Sequence, residues 1–315
     1  MENSYSGWTD VISGIPQGSV LGPILFVIFI NDMPDAIESL CQLFADDAKI
    51  YASVNIRDDT NTIKLQKDLD RLSEWSRKWQ LPFNTGKCKV LHIGTNNPCH
   101  RYKMDNKKLD NVSEEKDLGV LVDEDLKFHK QTAAAVKKAN RSLGMIKKTL
   151  VSLNATTLPT LYKTLVRPHL KLANVAWGPH FKGDIKAVES IQKRATKLVK
   201  TLKDVPYENR LRSLNIPSLV HRRRRGDMIF TYKIFHDVFD INKESVFISP
   251  SRATRGHAHK IMKSKASMLT RITAYSNRIH DDWNSLPEEI VHADTVNSFK
   301  KGLDEHWTDE QFITP

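Results

Sequence analysis

Two adjacent aspartates, Asp46 and Asp47, lie between two short runs of strand-forming residues, 42–45 and 48–54. Such runs on either side of a polar step predict a β-hairpin with the aspartates at its tip. Like charges this close repel, so both carboxylates stay ionised only where a cation or a basic partner compensates them. Two interpretations stay open: a polar turn in which Asp favours the bend, or a site for a divalent metal that also binds phosphates.

A shaped loop and an apolar run precede this hairpin. Residues 13–23 hold three glycines and two prolines. Glycine lets the backbone approach a ligand closely, and proline stiffens the path of the chain. Residues 24–30 are all apolar. This run predicts a helix or strand that is buried on every side.

Strands and helices are mixed up to about residue 127, and helices dominate beyond it. We predict a helix from a cap at 58–60 to about Gln80, a loop over 83–89, a hairpin over 101–109, and strands over 90–94 and 116–122. Helical spacing of apolar residues then predicts helices over 129–150, 154–168, 184–202, 211–216, 218–239, 272–283 and 295–307.

Charge is distributed unevenly along the chain. The net charge is +11, but residues 1–127 carry −5, residues 128–280 carry +23 and residues 281–315 carry −7. A solvated helical face is the usual explanation for many lysines and arginines, yet +23 exceeds what solubility needs. The basic middle therefore favours a surface that binds nucleic acid through its phosphates.

Several classes of protein are disfavoured. No apolar run approaches the roughly 20 residues of a membrane span, and the first residues do not resemble a signal peptide. Three scattered cysteines fit a reducing compartment. We therefore expect an intracellular protein of the nucleus, the cytoplasm or both, not a secreted one. The cysteines and histidines between 88 and 100 match no standard zinc spacing.

The order of these features resembles the palm of reverse transcriptases, specifically those of jockey-like and chicken-repeat-like non-LTR retrotransposons. Residues 14–23 (GIPQGSVLGP) are similar to motif B of that family, and residues 44–47 (FADD) to motif C. Residues 84–89 resemble motif D, residues 117–120 motif E, and the later helices the thumb and C-terminal region. Motifs B and C together are the specific part, because short motifs alone give many false matches.

The resemblance implies an α+β fold. It implies a partial right-hand polymerase palm, in which an antiparallel sheet is backed by helices, followed by a mostly α-helical thumb and C-terminal region. We expect the partial palm over residues 1–127, a basic thumb-like region over 128–248, and a linker with C-terminal helices over 249–315.

The resemblance also implies a catalytic centre. Asp46 and Asp47 would be catalytic ligands of Mg²⁺, or of Mn²⁺ in its place, in a two-metal site for nucleotidyl transfer. Lys87 would reach the incoming triphosphate, although an ordinary exposed lysine fits this position about as well. The implied partners are an RNA template, a DNA primer and deoxynucleoside triphosphates, with no membrane.

Further roles concern the template and primer. The resemblance places Gln17, Gly18 and Ser19 along the nascent base pair and template, and Leu118 and Gly119 in a grip near the primer terminus. The four-arginine run in the thumb-like region fits either a phosphate contact or a nuclear signal. The expected contacts to nucleic-acid phosphates are Lys137, Lys138, Arg141, Lys193, Arg194, Lys197, Arg222, Arg223, Arg224 and Arg225.

One part of the family pattern is missing. The family has a further metal-binding aspartate in motif A, before motif B, but only 12 residues precede Ser13, and Asp10 lies in the strand that enters motif B. We therefore expect a C-terminal fragment that lacks fingers and motif A. Its catalysis would be impaired, because a two-metal site without its bridging carboxylate loses geometry. It would depend on the missing N-terminal half or on a related full-length protein.

Two other functions stay open. The chain could be a catalytically inactive nucleic-acid-binding remnant or a domesticated RNA- or DNA-binding protein, in which case binding survives loss of Asp46 and Asp47. It could also be a structural or interaction protein built from residues 128–315, in which case that region folds stably and ignores RNA.

Overall fold

The computed structural model of the chain describes residues 7, 10, 18–150, 152–250 and 256–314. The chain divides between Ser113 and Glu114 into two compact units, which we call the N-terminal unit and the C-terminal unit. Across the described residues, helices and small sheets are mixed, in agreement with the predicted α+β class. None of the helices in these ranges is long and apolar enough to cross a membrane.

The N-terminal unit combines two helices with short strand pairs. The helices are α1 (Leu21–Ile30) and α2 (Thr60–Trp79). The strands are β1 (Leu40–Phe44), β2 (Asp47–Tyr51), β3 (Lys89–Leu91), β4 (Lys103–Met104), β5 (Lys107–Lys108) and β6 (Asp110–Val112). β1 pairs with β2 and β4 with β5, both antiparallel, whereas β3 pairs with β6 in parallel. The described strands thus form separate pairs and not one antiparallel sheet, because each is only two to five residues long.

The observed helix α2 confirms the helix predicted from a cap at 58–60 to about Gln80. Its first residue, Thr60, donates its backbone N–H to the Asp58 carboxylate at 2.9 Å, which satisfies one of the free donors at the helix start. The helix ends at Gln80, whose φ of 54° is left-handed. Its stripe buries Leu72 and Trp75, which are 2% and 6% exposed. Burial of such side chains contributes roughly 1.5–3 kcal/mol each.

One hydrophobic cluster holds the N-terminal unit together. Leu72 and Trp75 of α2 pack there with Ile30 of α1 and with Met104 of β4. Residues around them complete the cluster from both strands of the first hairpin and from the loop before β3: Cys41, Leu43, Ile50, Phe83 and Cys88. The cluster thus fixes the hairpin, α1 and the loop before β3 against the same helix.

Helix α1 is much more exposed than its sequence predicts. Its apolar side chains include Ile24, Val27 and Ile28, which are 54%, 56% and 67% exposed. Only Ile30 is buried, and Phe26 is partly buried in the cluster. The prediction of burial on every side is wrong for the described structure, because the cluster reaches only one face of the helix.

The C-terminal unit begins with one more antiparallel hairpin, β7 (Glu114–Asp117) and β8 (Val120–Asp123), and is otherwise helical. Its longer helices are α3 (His129–Thr149), α7 (Lys182–Thr196), α8 (Tyr207–Leu214), α9 (Leu219–Phe235) and α15 (Val296–His306). The short helices are α4 (Thr157–Leu161), α5 (Arg167–Lys171), α6 (Asn174–Trp177), α10 (Lys243–Val246), α11 (Leu269–Ile272), α12 (Tyr275–Arg278), α13 (His280–Asn284) and α14 (Glu288–Val291).

The helix predicted to end near Pro168 continues past it. A π-helical turn over Tyr162–Val166 separates α4 from α5, and Pro168 is the second residue of α5. Proline is tolerated in the first turn of a helical segment, where its missing N–H is not needed. Helix α3, by contrast, matches its predicted range, with buried residues three and four positions apart at Ala135, Ala139, Leu143 and Ile146.

Two hydrophobic clusters form the core of the C-terminal unit. The first joins α3, α4, α5, α7 and α8 around side chains such as Leu158 and Ile191. The second joins α9 to the helices from α12 onward, around side chains such as Trp283 and Phe299. The segment after α15 reaches back to the first cluster: the N–H of Ser218 donates to the carbonyl of Gln311 at 2.9 Å, and Phe312 packs against the cluster.

Candidate functional site

The two predicted catalytic aspartates lie on the β1–β2 hairpin. Phe44 pairs with Asp47, so the two-residue turn consists of Ala45 and Asp46. The hairpin is as predicted, but its tip is one residue earlier than expected, because Asp47 is the first residue of β2. Both carboxylates are exposed. Ala45 has a φ of 51°, a left-handed conformation that costs an L-residue about 1–2 kcal/mol and that occurs often at functional turns.

A buried carboxylate on α2 fixes the chain just before β1. Asp68 is fully buried and accepts the backbone N–H groups of Glu38 at 3.1 Å and Ser39 at 2.8 Å. Burial alone would raise the pKa of Asp68, but hydrogen bonds from Ser39 and Glu38 and the charge of Arg71 outweigh it and lower that pKa. Asp68 therefore stays ionised and holds the start of the hairpin in place.

Sequence reasoning missed Asp68, although a signal was present. Asp68 lies four residues before Leu72 and seven before Trp75, so it belongs to the same helical stripe. A carboxylate inside an apolar stripe requires partners that compensate its burial. The two backbone amides before β1 are those partners.

The aspartate pair offers the right chemistry for a metal but too few ligands. Carboxylate oxygens are the hard ligands that Mg²⁺ and Mn²⁺ prefer. Within the ranges that the structure describes, however, no group of three or more His, Cys, Asp or Glu side chains could hold a metal ion. A cation bound by Asp46 and Asp47 would therefore take further ligands from water, from phosphate or from another polypeptide segment.

The predicted motif B residues lie at the start of α1. Gln17 falls outside the described residues. Gly18 has a φ of 86°, a conformation that favours glycine. The hydroxyl of Ser19 accepts the backbone N–H of Leu21 at 3.2 Å, in the first turn of α1.

Lys87 lies in a tight turn after α2. Its backbone N–H donates to the carbonyl of Asn84 at 2.9 Å, and Phe83 and Cys88 on either side pack into the N-terminal cluster. The turn is therefore fixed, while the Lys87 side chain is exposed. This exposure suits both a triphosphate contact and an ordinary surface lysine.

Leu118 and Gly119 form the two-residue turn between β7 and β8, with φ values of 44° and 87°. Positive φ at both positions is the geometry of a type I′ hairpin turn. The Gln131 side chain of α3 accepts the N–H of Leu121 at 2.9 Å and ties the hairpin to that helix. Leu118 is 52% exposed. This turn belongs to the C-terminal unit, whereas the aspartate pair belongs to the N-terminal unit.

Helices α3 and α7 carry five of the predicted phosphate contacts, and a sixth, Lys197, follows directly after α7. The helices pack side by side, and Arg194 of α7 donates to the side-chain oxygen of Asn140 of α3 at 2.5 Å. All six predicted side chains are exposed: Lys137, Lys138, Arg141, Lys193, Arg194 and Lys197. Two adjacent helices thus present a basic surface to solvent, which is available to a polyanion.

Two of the four consecutive arginines on α9 form ion pairs inside the protein. Arg224 binds Asp282 through two bonds of 2.9 and 2.8 Å, and it also contacts Glu310 at 2.6 Å. Arg225 binds the Asp304 carboxylate through two bonds of 2.5 and 2.7 Å. These ion pairs hold α9 against α13, α15 and the segment after it, which differs from the predicted phosphate contacts.

The other two arginines of the run have different surroundings. Burial lowers the pKa of Arg223, and the charges of Glu189 and Asp227 oppose this shift. Arg222 has a buried Nε atom without a hydrogen-bond partner in the described structure. The run separates in this way because successive helical residues point about 100° apart, so four of them cannot face one ligand.

Comparison with known proteins finds similarity to polymerases of mobile elements. Residues 1–146 match the family model described as reverse transcriptase (RNA-dependent DNA polymerase). The chain is similar to the RNA-directed DNA polymerase from mobile element jockey of Drosophila funebris, with 28% identity over 248 residues, which cover 74% of this chain and 26% of the relative.

A second relative is the "Probable RNA-directed DNA polymerase from transposon X-element" of Drosophila melanogaster. It is 30% identical over 205 residues, which cover 60% of this chain and 22% of the relative. The chain thus spans about a quarter of the length of these relatives. No solved structure matches the chain.

Proposed function

We propose that this chain, whose residues 1–146 belong to the reverse transcriptase family, carries part of the RNA-directed DNA polymerase of a non-LTR retrotransposon. The observation that supports this proposal most is the β1–β2 hairpin. It presents two adjacent exposed carboxylates at a turn, inside the segment that matches the family.

Asp46 and Asp47 would hold Mg²⁺, or Mn²⁺, together with ligands from the nucleotide and from another segment. The chemistry supplied by the bound metal would be polarisation of the reacting phosphate and neutralisation of charge on the leaving pyrophosphate. The buried Asp68 orients the hairpin by fixing residues 38 and 39. Lys87 contributes positive charge toward the triphosphate, and the loop of Gln17, Gly18 and Ser19 lies along the template. Leu118 and Gly119 contact the primer.

The exposed basic helices favour a second role for the same chain. The surface of α3 and α7 would bind an RNA template and a DNA primer through phosphates, without reading sequence. This role needs no metal. A chain that only binds nucleic acid would therefore keep its affinity when Asp46 and Asp47 are changed, and this difference separates the two functions.

Primer extension tests the polymerase proposal. A DNA primer annealed to an RNA template is incubated with deoxynucleoside triphosphates and Mg²⁺, with the chain alone and with the chain mixed with the rest of a related polymerase. We expect extension in at least one condition, reduced at least 100-fold by Asp46→Asn or by Asp47→Asn, because each change removes a ligand charge from the metal site.

Asp105→Asn is the matched control. Asp105 lies with Asn106 in the two-residue turn between β4 and β5, so it is also an aspartate at the tip of a hairpin in the N-terminal unit. We expect this variant to extend primers as the unchanged chain does. Equal extension by the Asp46→Asn and Asp105→Asn variants, or no extension in either condition, would refute the polymerase proposal.

A further inference from the structure

Five cationic side chains come together in the C-terminal unit. Arg167 and Lys171 are one turn apart on α5, Arg222 and Arg225 are one turn apart on α9, and Lys300 lies on α15. Helix α9 packs directly on α15. We call these five residues the three-helix cationic cluster.

The packing of their helices brings the five charges near one another: α9 packs on α15, and Leu170 of α5 and Leu219 of α9 belong to the same hydrophobic cluster. Burial lowers the pKa of Lys171, and the charges of Arg222, Arg167, Arg225 and Lys300 lower it further. Burial also lowers the pKa of Arg222 to about 10, with further lowering by the charges of Arg167 and Arg225. Cations in partly buried positions that repel one another are costly unless an anion compensates them.

The protein supplies little compensation. Among the residues that the structure describes, Asp304 is the one acidic side chain that forms an ion pair with a member of the cluster. Both of its oxygens are bonded to Arg225. Lys300 contacts only the amide oxygen of Asn297, at 3.5 Å. The other three members form no ion pair within the described ranges, so the cluster keeps a surplus of positive charge.

The side chain of Arg222 also indicates that an anionic ligand binds here. Its Nε atom is buried and has no hydrogen-bond partner in the described structure. Buried donors are almost always satisfied in native proteins, so an exception calls for a ligand or water. A guanidinium presents parallel N–H groups that match the oxygens of a phosphate. An anionic oxygen ligand would satisfy the Nε donor and the surplus charge together.

We propose that Arg167, Lys171, Arg222 and Lys300 form a binding site for a backbone phosphate of a nucleic-acid strand. The site rests on the proposed function, because the polymerase is what brings nucleic acid to the chain. It lies outside residues 1–146, which match the reverse transcriptase family, and it assigns to nucleic-acid binding three residues that no sequence motif marks. Lys171 is exposed, so the site is open to a strand at the surface.

Salt-dependent RNA binding tests this site. The affinity of the full chain for a labelled single-stranded RNA is measured by fluorescence anisotropy at several salt concentrations. Each phosphate contact contributes about 0.7 to the slope of log affinity against log salt for a single strand. We expect the double variant Lys171→Gln/Lys300→Gln to bind about 10-fold more weakly and to lose about 0.7 from this slope, which is the contribution of the one phosphate at the site.

Lys301→Gln is the matched control. Lys301 is the neighbour of Lys300 on α15, is exposed and lies 3.9 Å from Glu305. We expect its RNA affinity and salt slope to stay unchanged. The urea midpoint of the free double variant should equal or exceed that of the unchanged chain, because the substitutions relieve repulsion. A purely structural role for the two lysines predicts a lower midpoint instead.

Three results would overturn the phosphate site. The first is that the double variant has the same RNA affinity and salt slope as the unchanged chain. The second is that the unchanged chain does not bind RNA. The third is that inorganic phosphate raises the urea midpoint of the unchanged chain only, while RNA binding is equal in both, which would identify a free phosphate as the ligand. The primer-extension assay tests the polymerase proposal by itself, so its failure is seen separately from a failure of RNA binding at this site.

Discussion

Replacing Asp68 by alanine should loosen the attachment of the β1–β2 hairpin. The change removes the acceptor of two backbone N–H groups, those of Glu38 and Ser39. A buried donor left without a partner costs roughly 1–3 kcal/mol. Ser39 is half-buried, whereas Glu38 is exposed and water can replace part of its lost bond. We therefore expect a loss of about 3 kcal/mol in the free energy of unfolding of the N-terminal unit.

Hydrogen exchange measures this loss where it occurs. The amides of residues 38 and 39 should exchange faster in Asp68→Ala, and urea unfolding should give the total free energy. Asp70→Ala is the control, because Asp70 is exposed on the same helix and contacts only the Gln66 side chain. It should change stability by less than about 0.5 kcal/mol. Equal protection of the two amides in both variants would refute the anchoring role.

The pH dependence of the free energy of unfolding tests the contribution of the ionised Asp68 side chain. The pKa of Asp68 is lowered from 3.8 in the folded state. Its ionised form therefore contributes stability that is fully present above pH 3.8 and is lost as the pH falls through the folded pKa. Asp68→Asn should consequently differ most from the unchanged chain near neutral pH, and the difference should shrink in strong acid.

Three further changes test other parts of the fold. Arg224→Ala removes the ion pairs that hold α9 to α13 and to the segment after α15. It should lower the free energy of urea unfolding by about 2 kcal/mol, less than the loss of a fully buried pair, because the site is partly open to water. Gly119→Ala should lower the free energy of unfolding by about 1–2 kcal/mol, because φ is 87° at this position. Ala45→Gly, at a φ of 51°, should leave that free energy unchanged or raise it by up to about 1 kcal/mol. Thermal unfolding of both variants measures these opposite effects. Burial lowers the pKa of His221 to about 4, and the charge of Arg224 contributes to this shift. The free energy of unfolding should therefore fall as the pH drops below 6.5, by about 2 kcal/mol at pH 5. His221→Gln should reduce this dependence of the free energy on pH, which urea titrations at several pH values measure.

Local signals were sufficient for the helices that could be predicted well. Helix α2 has a capping aspartate before its first residue and a left-handed residue after its last, and both lie within the segment itself. Helix α3 was predicted from the helical spacing of its apolar residues, which are Ala133, Val136, Ala139, Leu143 and Ile146. In each case the information needed was contained in about 20 neighbouring residues.

Features that depend on distant partners were predicted less well. The carboxylates that bind Arg224 lie 58 and 86 residues away along the chain, so its sequence context showed a charge but not its partners. The apolar composition of α1 likewise did not show how much of its surface the N-terminal cluster would cover. The turn of the first hairpin moved by one residue because strand propensity does not fix register, and nothing about Ala45 signals a positive φ.

The contact between Ser218 and Gln311 also bears on how the chain is made. About 90 residues separate the two partners, and Phe312, next to Gln311, closes over the first cluster of the C-terminal unit. At a synthesis rate of roughly 5–20 residues per second, the helices of that cluster emerge from the ribosome about 5–20 s before the residues that cover them. During this interval the nascent chain exposes apolar surface, so we expect it to be a substrate for chaperones until residues 311 and 312 have been added.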